Sequence, residues 1–207
     1  MSLANQLPIQ RIVTYVVSAL DRPLALRCCL ASLQCQDDPD WECFVADNSR
    51  DQCNQAIVEG FKDQRIRHVD TGSVATSPGW DCYWSAEHVV QHYATGAYLV
   101  FPSDDTYYMP VFQSALLAAA STYDLSLIYP EMIYDRRIGG RYGILDTSAQ
   151  RYRIDKTGFM LRRDAWIGFP DKSTSPGPVD ADGLMIDRLM HGEIRHGKVN
   201  EILVVHN

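Results

Sequence analysis

Glycine is missing from the first 59 residues of this 207-residue chain, and the first one is Gly60. The turn after the first predicted strand, SALDRPLAL, therefore lacks the glycines that let backbone amides approach a phosphate closely. This absence argues against a P-loop, a GxGxxG dinucleotide site and the glycine-rich first turn of sugar nucleotidyltransferases. A nucleotide bound to this chain would be held largely by side chains and a metal ion.

Further absences narrow the class of protein. No stretch approaches the roughly 20 apolar residues of a transmembrane helix, and MSLANQLPIQ lacks the segments of a signal peptide. The net charge of −7 argues against broad binding to nucleic acid or anionic membranes. The six cysteines all precede residue 83 without CxxC spacing, so we expect a reduced, cytoplasmic protein without a zinc ribbon.

The first half of the chain alternates strand and helix patterns. Strands are predicted at RIVTYVVSA (11–19), WECFVAD (41–47), RIRHVD (65–70) and AYLVFP (97–102). Helical spacing of apolar residues lies between them, at Leu26, Cys29, Leu30 and Leu33 and again at Ala86, Val89, Val90 and Tyr93. Asp21 is expected to cap the first helix. The alternation predicts an α/β fold with a mainly parallel, Rossmann-like central sheet flanked by helices.

The regular alternation fades after residue 125. LSLIYPEMIY, GFMLRR and VNEILVVHN read as strands, RIGGRYGI as a turn with a hairpin, and ADGLMIDRLMHG as a helix. The segment 171–180, DKSTSPGPVD, has the composition of a mobile loop. We predict one domain over residues 1–207, with functional halves at 8–107 and 108–207 and a smaller mixed region in the second.

Carboxylates follow two of the predicted strands. Asp47 ends the second strand, and Asp104 and Asp105 follow the fourth in FPSDDTYYMP. Ligands of parallel sheets bind outside the carboxyl ends of the strands, and adjacent carboxylates coordinate Mg²⁺ or Mn²⁺ that bridges phosphates. The plainer interpretations are a helix cap at Asp47 and a solvated, capping turn at Asp104 and Asp105.

Other candidates lie in the second half of the chain. Asp180 and Asp182 flank the start of the late helix, and either is a candidate general base or a helix N-cap. His206 closes the last strand and has no motif around it.

Taken in order, these stretches resemble the family 2 glycosyltransferases with a GT-A fold. VVSALDRPLALRCCLASL and WECFVADNSRDQ are similar to their first strand and helix and to their second strand. YLVFPSDDTYYMP is similar to the strand ending in the DxD motif, and its SDD form resembles the bacterial spore-coat polysaccharide glycosyltransferase type. GFMLRRDAWIGFP, DADGLMIDRLMHG and LVVHN resemble the acceptor-side segment, the helix with the catalytic acidic residue and the terminal strand.

The resemblance implies a role for each candidate residue. Asp47 would contact the nucleobase of the donor, uracil or another pyrimidine. Asp104 would lie near the ribose or the metal. Asp105 would ligate Mn²⁺ or Mg²⁺, and His206 would complete the metal shell. Asp182 would be the base that removes a proton from the acceptor, with Asp180 as the alternative.

The activity implied is inverting, metal-dependent transfer of a sugar from a nucleotide-diphosphate donor, UDP favoured, to a hydroxyl. A saccharide or lipid-linked acceptor in surface or extracellular polysaccharide synthesis is expected, with at most peripheral membrane contact. TGSVATSPGWDCYW lacks the Asn and Arg of the family's G-x-x-x-A-R-N stretch, so a diphosphate contact is absent or supplied elsewhere. A non-catalytic nucleotide-sugar binding or regulatory module is the alternative, followed by a sugar nucleotidyltransferase. The oligomeric state stays open.

Overall fold

The computed structural model describes residues 12–49, 53–72, 81–136, 141–170 and 181–207. Along these ranges the elements are β1 (Val13–Ala19), α1 (Pro23–Gln34), β2 (Trp41–Asp47), α2 (Cys53–Phe61), β3 (Ile66–Asp70), α3 (Asp81–His92), β4 (Tyr98–Val100), β5 (Thr106–Tyr108), α4 (Phe112–Tyr123), β6 (Leu127–Arg136), β7 (Arg141–Leu145), β8 (Met160–Arg162), α5 (Ala181–His191) and β9 (His196–His206). Two short 3-10 turns lie at Lys156–Gly158 and Arg163–Ala165. Every described helix falls short of the length and apolar character that a membrane crossing requires.

The described strands pair into one sheet in the order β3-β2-β1-β4-β8-β6-β9-β5, with β7 paired to β6. The pairs among β3, β2, β1 and β4 are all parallel. Beyond β4 the sheet is mixed, because β8 runs antiparallel to β4 and β6 while β6 and β9 are parallel. The predicted fold class, a largely parallel half followed by a mixed region, is confirmed.

Helices cover both faces of the sheet. On one face α1 and α4 place Leu30 and Leu116 against Tyr15 of β1, and α2 packs on the same side. On the other face α5 places Met185 in a cluster that contains Val16 of β1, together with residues of α3. Neighbouring residues of β1 thus point into different cores, which explains why its sequence is apolar at nearly every position.

Three local predictions were wrong. The N-cap position of α1 is Arg22 rather than Asp21, and it makes no side-chain capping hydrogen bond. Tyr93 lies just beyond α3 and is 44% exposed, so it does not belong to the buried face of that helix. The short strand β5 was not predicted, because its polar TYY sequence has no strong strand pattern.

Gly96 lies in the loop between α3 and β4, where its backbone packs closely against Thr14 of β1. Its backbone N–H donates to Thr14 Oγ1 at 2.9 Å. A Cβ added at Gly96 would lie 2.6 Å from Thr14 N and 2.7 Å from Thr14 Oγ1, distances that real Cβ atoms do not reach. Only glycine fits without displacing the backbone of β1.

We therefore expect Gly96→Ala to lower the free energy of unfolding by roughly 1–3 kcal/mol or more, because overpacking forces the backbone to move. Gly60→Ala is the matched control: its Cβ would meet no atom within 4 Å on α2, and alanine raises helix propensity by about 1 kcal/mol. Denaturant unfolding of both variants measures the difference. A Gly96→Ala protein as stable as the wild type would contradict the close approach.

Candidate functional site

The candidate residues of the first half of the chain, residues 8–107, lie on either side of the carboxyl end of β1. Ala19 of β1 pairs with Asp47 of β2, and Ser18 forms a parallel bridge with Ser103 on the other side. Backbone hydrogen bonds continue this pairing, from Asn48 N to Ala19 O and from Asp104 N to Ser18 O, both at 3.0 Å. Asp47 and Asp104 therefore flank the end of β1, about 10 Å apart across two strand spacings.

Arg22 bridges the two adjacent carboxylates. Its Nη2 forms an ion pair with Asp104 Oδ1, and its Nη1 donates a hydrogen bond to Asp105 Oδ2. Leu20 N donates to the other oxygen of Asp104, Oδ2, at 3.0 Å. The segment between β1 and α1 thus supplies a backbone donor and a guanidinium to the carboxylates, which were expected to bind a cation.

Asp104 is fully buried, whereas the side chain of Asp105 is 10% exposed. Burial raises the pKa of Asp104 to about 6, although the Leu20 N–H and the Arg22 guanidinium act to lower it; the charge of Asp105 acts to raise it. Asp105 Oδ1 is buried and accepts no hydrogen bond, whereas Asp104 Oδ1 is held by its ion pair with Arg22. Asp105 therefore retains one oxygen that could accept a further cation.

His206 reaches the same carboxylates through strand pairing. The register of β5 with β9 places Thr106, next to Asp105, opposite His206. His206 Nδ1 lies 3.2 Å from Thr106 Oγ1 and 3.5 Å from Asp105 Oδ1. The structure thus brings Asp105 and His206 together, and the unpredicted strand β5 is the element that does so.

Asp47 is buried and engaged by several donors. Its Oδ1 accepts hydrogen bonds from Ser49 N, Ser49 Oγ and Asn54 Nδ2, and its Oδ2 lies 2.8 Å from His68 Nε2. Burial alone would raise the pKa of Asp47, but the hydrogen bonds from Ser49, His68 and Asn54 outweigh it and lower the pKa. Asp47 is therefore an ionised carboxylate that orders the loop after β2, and its Oδ2 has a single partner among the described residues.

Asp182 lies in the first turn of α5 and is buried. Its Oδ2 accepts from Lys156 N at 3.0 Å, and its Oδ1 accepts from its neighbour Gly183 N at 2.9 Å. Burial, followed by the charge of Asp155, raises the pKa of Asp182 to about 7. A carboxylate that gains a proton near neutral pH has the acidity that suits a general base.

Two residues of this region were missed in the sequence. Arg22 directly follows the turn after β1, so its place beside a strand end was a usable signal. Lys156 is buried, and its Nζ lies 3.2 Å from Ser18 Oγ; nothing in the sequence around it indicated this contact. Asp180, the alternative base, and the predicted loop 171–180 lie outside the described residues.

Few side chains other than Asp105 and His206 are suited to ligate a metal here. The described residues hold no group of three or more His, Cys, Asp or Glu that would bind a metal ion. A protein that supplies one or two ligands leaves the others to phosphate oxygens and water, as is common for Mg²⁺.

The burial of Asp182 makes stability depend on pH. Its pKa rises from 3.8 to about 7 on folding, so between these values the folded state binds more protons than the unfolded state. The contribution of Asp182 to the free energy of unfolding therefore falls as the pH rises. Asp182→Asn does not titrate at this position. In thermal melts the difference between its Tm and that of the wild type should therefore shift in favour of the variant from pH 5 to pH 8.

Asp164→Asn is the control for this measurement, because the Asp164 side chain is 67% exposed and pairs with Arg162. Its Tm should keep a nearly constant difference from the wild type over the same range. Parallel curves for Asp182→Asn and the wild type would mean that Asp182 is not a buried, titrating carboxyl.

No protein-family model matches the sequence, and a search of curated proteins gives no match. Solved structures are similar to it. S. aureus TarS 1-349 in complex with UDP-GlcNAc is 17% identical with a TM-score of 0.69, over 94% of this chain and 58% of that one. The mannosyltransferase PcManGT from Pyrobaculum calidifontis, in complex with GDP-Man and Mn²⁺, is 14% identical with a TM-score of 0.70, over 96% and 58%.

Full S. aureus TarS gives a TM-score of 0.71 at 17% identity, over 95% of this chain and 36% of its own. The chain thus spans about 60% or less of the length of these proteins. At such low identity the likeness concerns the fold, and the chain shares that fold with a mannosyltransferase and with a protein solved with UDP-GlcNAc.

Proposed function

We propose that this chain transfers a sugar from a nucleotide-diphosphate donor to a hydroxyl acceptor. The observation that carries the proposal is the placement of Asp47, Asp104 and Asp105 around the end of β1. The fold is shared with structures that hold UDP-GlcNAc or GDP-Man. Ligands of such sheets bind at this edge, where the strand order reverses on either side of β1.

The nucleoside would lie between Asp47 and Asp104. Asp47 is ionised, and its Oδ2 has only His68 as a partner among the described residues, so it has room for an N–H donor of the base. Uracil presents such a donor at N3, and guanine presents one at N1; the preference for UDP comes from the resemblance to the family 2 glycosyltransferases. Asp104, on the far side of β1, would face the ribose.

The residues present fit a divalent cation at Asp105. Asp105 Oδ1 is buried without a hydrogen bond, and His206 Nδ1 lies 3.5 Å from it. Oxygen and imidazole ligands of this kind suit Mn²⁺, and with fewer protein ligands Mg²⁺. A bound cation would offset the charge that develops on the departing diphosphate.

A cation at Asp105 Oδ1 would lie beside Arg22, which holds the other oxygen, Oδ2. The guanidinium contacts both carboxylates, and its side chain is 43% exposed. Breaking its ion pair with a buried carboxylate is costly unless another cation replaces it, so Arg22 would leave the pair only as the metal ion binds. Its guanidinium would then be able to contact the phosphates of the donor.

Asp182 is the base that we assign to the transfer. Its carboxylate would accept the proton of the acceptor hydroxyl as the oxygen attacks the anomeric carbon. The bond from that carbon to the phosphate oxygen breaks at the same time, and the nucleoside diphosphate leaves. Attack from the face opposite the leaving group inverts the configuration.

The second half of the chain, residues 108–207, would form the acceptor side of one domain. The resemblance to the spore-coat type favours a saccharide or lipid-linked acceptor in polysaccharide synthesis. A cytoplasmic chain acting on a lipid-linked acceptor would contact the membrane only peripherally.

The metal assignment gives a direct binding test. We expect UDP to raise the Tm of the wild type more in the presence of Mn²⁺ than in its absence, because the cation bridges the protein and the diphosphate. Asp105→Asn should lose this Mn²⁺-dependent increase in Tm, since a neutral amide is a poorer metal ligand than a carboxylate and removes one negative charge from the site. GDP, measured in parallel, tests the preference for a pyrimidine.

Asp164→Asn again serves as the control and should keep the full increment, because Asp164 lies beyond β8, away from the strand ends. If Asp105→Asn retains the increment, the cation is bound elsewhere. If no nucleoside diphosphate shifts the wild type, the proposed function is wrong.

The assignment of Asp182 separates binding from transfer. Asp182→Asn should bind UDP with the affinity of the wild type and lose transfer by roughly 10²–10⁴-fold, because it cannot accept the proton. The wild-type rate should rise with pH to a plateau above about 7, following the pKa of Asp182. Hydrolysis of the donor by the wild type would report turnover before the acceptor is known. If Asp182→Asn keeps the wild-type turnover, the general base is another residue.

A further inference from the structure

Lys156 is a lysine buried at the site edge of the sheet. Only 6% of its surface is exposed, and it begins the 3-10 turn that precedes β8. Its Nζ donates to Ser18 Oγ at 3.2 Å and lies 5.7 Å from the centroid of the Tyr83 ring. A buried ammonium with these partners is unusual, because lysine is almost never fully buried without a paired charge.

No acidic side chain of the described residues forms an ion pair with Lys156. The charge of Lys156 acts to lower the pKa of Asp182 without outweighing burial, and the Asp182 carboxylate accepts a hydrogen bond from the backbone N of Lys156 rather than from its ammonium. The ammonium itself is directed to the hydroxyl of Ser18, a neutral partner. A buried positive charge with one neutral acceptor retains hydrogen-bonding capacity for an anion.

The position of Lys156 joins the two parts of the candidate site. Ser18 bridges to Ser103, which directly precedes Asp104, so the ammonium contacts the end of β1 between β2 and β4. The backbone of Lys156 contacts Asp182 on α5. A group bound beside the Lys156 ammonium would therefore lie between the nucleotide-binding residues and the assigned base, where the donor's phosphates must be.

We propose that the ammonium of Lys156 binds the diphosphate of the donor. This inference rests on the proposed function and assigns to Lys156 a phosphate contact that the glycine-free first turn cannot make through its backbone. As the bond between the anomeric carbon and the phosphate oxygen breaks, negative charge grows on the leaving diphosphate. A cation fixed in a dry site stabilises that charge without having to reorganise.

Two arginines near Lys156 in the sequence, Arg162 and Arg163, lie at the opposite end of the sheet. Arg162 pairs with Tyr98 at the start of β4, the end opposite Asp104, and its guanidinium contacts Asp124 and Asp164. Arg163 donates to Ala94 O at the same opposite end. Arg22 holds the two carboxylates, whereas Lys156 is a buried cation of this edge that forms no ion pair among the described residues.

The test compares Lys156→Met with the wild type in binding UDP and uridine, each with Mn²⁺, by calorimetry. Methionine keeps the length and apolar stem of lysine and removes the charge. We expect the affinity for UDP to fall about 10- to 100-fold, the loss of one charge-assisted hydrogen bond, and the affinity for uridine to stay unchanged. GDP and guanosine replace the pair if the wild type prefers them.

Lys62→Met is the matched control, because Lys62 is exposed at the end of α2; its affinity for UDP should equal that of the wild type. Lys156→Arg keeps the positive charge and should retain part of the preference for UDP over uridine. It also provides the comparison if the methionine variant is too unstable to measure.

Three results would overturn the inference alone. The first is a folded Lys156→Met protein with an unchanged preference for UDP, and the second is an equal loss of UDP and uridine binding, which would mark Lys156 as a structural residue. The third is a wild type that binds uridine and UDP equally. Failure of the wild type to bind any nucleoside diphosphate would overturn the proposed function together with this inference.

Discussion

The ion pairs of Arg22 with Asp104 and Asp105 determine the state of the whole strand edge. A buried aspartate beside a second carboxylate is unfavourable unless a cation or a proton accompanies it. Here the guanidinium provides the cation, and the raised pKa of Asp104 shows that it does not fully offset burial. Where β1, β4 and β5 meet, the chain itself thus supplies the positive charge that accompanies these carboxylates.

The strand ends could be predicted from the sequence because their signals are local. Apolar β-branched runs located β1, β2 and β4, and the carboxyl-end rule then brought Asp47 and Asp104 to one edge. The same rule places Arg22 near this edge, but its contacts with the two carboxylates could not be predicted from it. These contacts depend on the turn at Asp21, whose φ of 45° directs the chain from β1 into α1. Because Asp21 lies in this turn, the N-cap position of α1 falls on Arg22 rather than on Asp21.

Contacts between distant parts of the chain were the least predictable. Lys156 and Ser18 are 138 residues apart, and β8, which follows Lys156, pairs antiparallel with β4. Both segments were predicted as strands, but nothing in their sequences indicated that they pair with each other. His206 reaches Asp105 only because β5 pairs with β9, and β5 is three residues long. The error at Tyr93 was of a different kind, because the sequence predicted a buried helical position that the structure does not have. The helical spacing of apolar residues continues to Tyr93, but α3 ends at His92.

The buried charges of this edge have a consequence for the order in which ligands arrive. Asp104, Asp105, Asp155 and Asp182 outnumber Arg22 and Lys156. Burial chiefly raises the pKa values of Asp104 and Asp182, and the charges of Asp105 and Asp155 add to it. A diphosphate that came alone would meet repulsion, whereas a divalent cation would be attracted. For the proposed transfer, the electrostatics would favour an ordered association in which the cation arrives before the nucleotide or as its complex, and leaves with the released diphosphate.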